Sequence, residues 1–224
     1  MRRTSLRLFA APLALAVIAA CGDAPEAPPP ADDTAAEAPT TAFAGLAPAQ
    51  QQWMTNLAAQ CGQAFPGQLE RAPEGSTMLE GPELLVVYFD VCEEDEARLP
   101  FHIEQMDGEW DRSRTWIFRP DDDGTIELRH DHRLPDGSED EGSTWYGAWT
   151  KETGTATQQE FLREELRNGA ETGWRVIIEP GVRYVYGTIR DGEWSWRVDF
   201  DLSQPMDDPP PPAWGYEDGA GPPR

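Results

Sequence analysis

TIELRHDHRL (residues 125–134) separates cleanly when read with a period of two. Ile126, Leu128, His130, His132 and Leu134 fall on one face, and Thr125, Glu127, Arg129, Asp131 and Arg133 on the other. That alternation describes a strand buried on one side, and it turns two of the chain's three histidines inward with the apolar residues. DDDG (121–124) leads into this strand and Pro135-Asp136-Gly137 leads out of it, both strong turn sequences.

Similar runs flank it. ELLVVYFDVC (83–92) is apolar on both faces and rich in β-branched and aromatic residues, so it reads as a central strand. Strands are expected at 98–104 and 113–119, with weaker ones at 143–149 and 153–161. Those at 174–179, 182–190 and 193–201 are joined by Pro180-Gly181 and Asp191-Gly192. In the last of them Trp194, Trp196, Val198 and Phe200 are expected to face inward, opposite Ser195, Arg197 and Asp199. Pro48 suits a first helical turn, Trp53, Leu57 and Cys61 follow four apart, and Gly62 is placed to end that helix. LREELRN (162–168) is expected as one short later helix, and TQQE (157–160) offers a capping box that would start it earlier. The fold expected is therefore mainly β: an antiparallel meander closed into an up-and-down β-barrel, with one N-terminal helix and one short later helix. A two-sheet β-sandwich is the alternative, because periodicity does not separate the two.

The ends differ from the middle. Residues 1–20 combine Arg2, Arg3 and Arg7 with an apolar run too short to span a bilayer, the pattern of an export signal. Residues 21–46 are Ala, Pro and acidic residues, expected as a disordered tether, and 203–224 as a Pro-rich disordered tail carrying Trp214 and Tyr216. The β domain is expected over 47–202.

The chain holds 41 acidic against 18 basic residues, a net charge of −23, which argues against nucleic acid as a partner. Loss of the signal would remove three arginines and deepen the imbalance. With Cys21 set aside, Cys61 and Cys92 in an oxidising compartment most simply form a disulfide.

Two resemblances enter at this point. Ile18-Ala19-Ala20-Cys21 resembles a bacterial lipobox, which implies lipidation of Cys21 and, with Gly22 in second place, a cell-envelope protein anchored at the outer membrane facing the periplasm. DRSRTW (111–116), RHDHRLPDGSED (129–140), GTATQQEF (154–161) and RVDFDLSQP (197–205) resemble stretches of a group of uncharacterised exported proteobacterial lipoproteins, over roughly 53–214. That likeness brings no activity, ligand or site residue with it. Size and strand succession are also similar to lipocalin-like barrels, an analogy of architecture alone.

Candidate chemistry is sparse. No nucleophile elbow and no glycine-rich phosphate loop occurs. His130 and His132 form an H-x-H pair of the kind that holds zinc, and His102 is the third candidate metal ligand, although its neighbours Phe101 and Ile103 argue that it faces outward. Arg112 and Arg114 share a face by spacing and could fork an anion, but an acidic surface favours their pairing with carboxylates. Trp194 and Trp196 with His130 and His132 would line a ligand cavity. Three functions follow: a lipid-anchored barrel that binds or carries a small amphipathic ligand without catalysis and without a required cofactor; a His-ligated metal-dependent hydrolase or lyase; and a structural or assembly lipoprotein that meets a protein partner through its tail. The first is favoured.

Overall fold

A computed structural model describes residues 43–76, 79 and 81–219. The export signal, Cys21 and nearly all of the tether lie outside the described residues.

One helix, α1 (Pro48–Ala58), precedes eleven strands: β1 (Ala64–Arg71), β2 (Leu85–Tyr88), β3 (Val91–Cys92), β4 (Ala97–Glu104), β5 (Trp110–Pro120), β6 (Ile126–His132), β7 (Tyr146–Thr150), β8 (Gln158–Leu162), β9 (Thr172–Glu179), β10 (Arg183–Arg190) and β11 (Glu193–Asp201). All pairings are antiparallel and, β2 and β3 apart, link sequence neighbours, while β1 closes the ring against β11. β2 and β3 both pair with β4, at Val87↔Phe101 and Val91↔Arg98, and are two segments of one wall strand broken at Phe89-Asp90. The wall therefore has ten positions. An all-antiparallel ring of sequence neighbours closes only with an even number, and closure leaves no edge to aggregate. The sandwich alternative is excluded, and the mainly β up-and-down barrel stands.

The helix stops one end. Trp53, Met54 and Leu57 are fully buried in the same apolar cluster as Phe118, Phe161, Val176 and Phe200 from the wall. Gln50 Oε1 accepts the Ala47 N–H (3.2 Å), which begins the helix, while Gln50 Nε2 donates to Thr150 Oγ1 (3.1 Å) at the end of β7. Asn56 Nδ2 donates to the Ala156 carbonyl (2.8 Å) in the β7–β8 loop. The Cys61–Cys92 disulfide, with Cα atoms 5.9 Å apart, ties the chain after the helix to β3. Closing a 31-residue separation stabilises the fold by roughly 3–4 kcal/mol on the chain-entropy account.

Three expectations need correction. Residues 162–168 are not helical: the Arg163 N–H donates to the Thr172 carbonyl (3.0 Å), and Arg167 and Ala170 exchange backbone hydrogen bonds around Asn168-Gly169. Both turn residues have positive φ, 53° and 77°, the two-residue hairpin geometry that Asn-Gly favours. TQQE is likewise no capping box, since Gln158, Gln159 and Glu160 lie in β8.

AFPGQLER was not expected as a strand, yet it is β1. Gly67 is needed in it because the Phe200 ring occupies the space beside it, where a Cβ would lie 2.3 Å from Phe200 Cδ1.

The tail is packed over 203–219 rather than disordered. Pro210 and Ala213 are buried three residues apart, the polyproline II period, and Tyr216 is buried beyond them. The Met206 N–H donates to the Ala64 carbonyl on β1 (2.8 Å), Arg112 Nη1 on β5 to the Pro212 carbonyl (2.6 Å), and the Tyr216 hydroxyl to Asp131 on β6. Asp131 also accepts from Arg133 Nε (2.9 Å), and this buried ion pair gives the tail its polar anchor.

Candidate functional site

The opposite end of the barrel is hollow. A cavity of about 410 Å³ opens there, within the range of small-molecule sites. β4 supplies Phe101 and Ile103, β5 Arg114 and Trp116, β6 His130 and His132, and β7 Tyr146. β9, β10 and β11 add Trp174, Tyr186 with Thr188, and Trp196, while Pro73, Ser76 and Leu79 come from the β1–β2 connection. The strand period of two makes these choices: Phe118 and Leu128 point inward like Trp116 and His130 on the same strands, but lower, in the core cluster that holds Trp53 of α1.

The aromatic rings brace one another. Trp116 stacks on Tyr186 (3.9 Å between centroids) and on Phe101 (5.0 Å), and His130 stacks on Tyr146 (4.4 Å, 8° between planes). His130 Nδ1 lies 3.0 Å from the Tyr146 carbonyl, which can only accept, so Nδ1 carries the proton. Nε2 then accepts from the Tyr186 hydroxyl. Burial drives the His130 pKa down to about 3, so the ring is neutral at physiological pH. His132 is half-buried, and burial, followed by the adjacent Arg114 guanidinium, lowers its pKa as well. Its Nε2 lies 3.4 Å from the Tyr146 hydroxyl.

Polar capacity is left over at the mouth. Arg114 Nη1 donates to Asp111 (2.6 Å) and to Ser113 Oγ (3.0 Å), which holds the guanidinium in place while Nε and Nη2 have no partner among the described residues. Trp196 Nε1 is buried with no acceptor among the described residues. Outside the lining, Arg163 lies 4.4 Å over the ring of Trp174 and has no carboxylate partner among the described residues.

No protein-family model, no curated protein and no solved structure matches this chain.

Of the four cavity residues expected from sequence, His130, His132 and Trp196 are in the lining and Trp194 is not. The cause is a β-bulge: Thr188 faces Trp196 and Ile189 faces Trp194, which leaves Ser195 as an extra residue. Ser195 Oγ lies 2.8 Å from Thr188 Oγ1 at this point. One inserted residue reverses the alternation, and Trp194 lies outside between the guanidinium groups of Arg175 (5.0 Å) and Arg197 (5.6 Å). A second bulge separates the two arginines of DRSRTW. Phe101 faces Arg114 and Ile103 faces Asp111, so β5 carries one residue more than β4 opposite. Arg114 enters the cavity while Arg112 binds the tail outside.

The three histidines do not converge. Phe101 and Ile103 line the cavity, and His102 between them is on the outer face, fully buried, with neither ring nitrogen bonded among the described residues. Of the tail anchors, Arg112 lies on β5, the strand beside it, and Ala64 on β1, two strands away across β2. Burial, then Arg112, pulls the His102 pKa down to about 4. Among the described residues no group of three His, Cys, Asp or Glu side chains is placed to hold a metal ion. Metal binding at His130 would also displace the Tyr186 hydroxyl from Nε2.

Phe101, Trp116, Tyr146, Trp174 and Tyr186 were not singled out in the sequence, although alternation with Phe118, Val176 and Tyr184 marks most of them as inward. What alternation lacks is height along the barrel, which separates a wall of the cavity from a member of the packed core.

Proposed function

We propose that this protein is a binding module whose barrel holds a small amphipathic ligand. The observation that carries the reading is the cavity itself: an enclosure of about 410 Å³ walled by Phe101, Trp116, Tyr146, Trp174, Tyr186 and Trp196, with few polar groups, at the end of the barrel that α1 does not fill. Such walls take up the apolar body of a ligand, and the polar groups at the mouth orient its other end. The metal-dependent hydrolase reading finds less support, since His102 is on the far side of the wall and both nitrogens of His130 are engaged. The assembly reading through the tail is also weaker, because Tyr216 and Ala213 are already buried against the barrel.

Titration with N-phenyl-1-naphthylamine, a neutral fluorescent probe, tests this reading. Saturable binding is expected with quenching of tryptophan emission, and Ile103→Trp, which fills the cavity, is expected to weaken it at least tenfold. Equal binding by the two proteins would place the probe elsewhere and remove the proposal.

The lipobox resemblance supports a cell-envelope placement, with the protein held at the outer membrane through lipid on Cys21 and facing the periplasm. Intact-mass measurement of the membrane-extracted protein is expected to show an acylated chain beginning at Cys21. A chain cleaved at another site, without the added acyl mass, would refute the anchor.

A further inference from the structure

We infer that the ligand is an anion, an apolar carboxylate whose charged end sits at the cavity mouth beside Arg114, with its apolar body among the aromatic rings and the Arg163 guanidinium, against Trp174 but outside the lining, adding positive charge nearby. The inference rests on the binding reading above and adds its charge.

The composition of the lining carries it. Asp and Glu make up 41 of 224 residues, so fourteen lining positions drawn at that frequency would hold about two or three; the fourteen described lining residues hold none. Exclusion of charge from an interior would explain missing carboxylates, but it would exclude arginine equally. Here the cation is present and the acids are not. Asp111 holds Arg114 through Nη1 and is itself outside the lining, and Nε and Nη2, which have no partner among the described residues, can meet a planar two-oxygen acceptor.

Arg163 adds a second positive charge. Its guanidinium lies against Trp174, a wall of the cavity, in a site where burial and the neighbouring Arg167 both disfavour the charge. A bound anion would relieve that cost. The Trp196 indole N–H, buried and without an acceptor among the described residues, is a further donor in the lining. Apart from the histidine nitrogens, already considered, the lining thus has an excess of donors and no anionic acceptor among its described residues.

An aromatic-lined cavity can also hold a cation, through the negative faces of its rings. The two readings differ in sign, and one experiment separates them. The full chain is titrated with 2-naphthoate, 2-naphthamide and 2-naphthyltrimethylammonium, which share the ring and differ in charge. Naphthoate is expected to bind at least tenfold more tightly than the amide, about 1.4 kcal/mol, and the ammonium compound more weakly than either. Arg163→Gln and Arg114→Gln are each expected to bring the naphthoate-to-amide ratio towards one. Arg163 makes no ion pair among the described residues, so its variant keeps the test open if Arg114→Gln does not fold. Equal binding of naphthoate and amide, or preference for the ammonium compound, overturns the charge assignment and leaves the binding module standing. Failure of all three compounds together with the neutral probe overturns both.

Discussion

Between pH 7.5 and pH 4.5 the folded barrel is expected to lose roughly 5 kcal/mol of stability to two buried histidines. His102 and His130 have folded-state pKa values near 4 and near 3, against an ordinary value of 6.5. As the pH falls below 6.5 the unfolded chain takes up two protons that the folded chain refuses. Stability is therefore complete above 6.5 and declines as the pH falls towards the folded values, by about 1.4 kcal/mol per pH unit for each histidine. His132, lowered in the same direction, adds to the slope. Acid also relieves the self-repulsion of a chain with net charge −23, so the total profile mixes opposing effects. A variant isolates the histidine contribution. His102→Leu should remove about 2–3 kcal/mol of the pH dependence between 7.5 and 4.5, read as the change in urea midpoint at the two pH values. Parallel profiles for variant and wild type would show that His102 does not stay neutral and buried.

Trp53→Ala should cost about 3–5 kcal/mol, the range for removal of a large buried aromatic. Trp53 is completely inaccessible and meets Phe118 edge-on at 5.2 Å and Phe161 at 6.1 Å, so its loss opens a void where the helix stops the barrel. Trp53→Phe should cost much less. The indole Nε1 is buried without an acceptor among the described residues, and phenylalanine keeps an aromatic edge on Phe118 while removing that unsatisfied donor. Urea unfolding of both variants checks the ordering, and a cost below 1 kcal/mol for Trp53→Ala would mean that α1 is not part of the core.

Alternation within a strand is local physics, and it made the walls readable. Residues 193–201 are β11 to the residue, and His130 and His132 point inward as the pattern of residues 125–134 requires. The failures occurred where a single residue changes the geometry. Ser195 reverses the face of Trp194 without any mark in composition, because a bulge is set by pairing with β10 and not by β11 alone. In LREELRN, helix propensity pointed one way and the following Asn-Gly turn the other; the turn prevailed, since Leu166 is 63% exposed and the segment has no apolar stripe to bury. The tail departs from expectation for another reason. Its prolines indicate an extended chain, and a period of three among Pro210, Ala213 and Tyr216 becomes visible only once a surface exists to cover one edge of it. His130, His132 and Trp196 were legible as cavity residues, but the extent of the cavity was not, because it is a gap left between a helix at one end and side chains at the other.

The position of α1 also gives the molecule a direction. The chain enters the described fold at Phe43, which packs on the core, and Gly45 lies beside the Asp121 carbonyl at the β5–β6 turn, on the stoppered side. The cavity opens at the other pole, near the β10–β11 hairpin. The first described residues and the doorway thus lie at opposite poles of the barrel, so a solute enters without passing the segment from which the described chain starts.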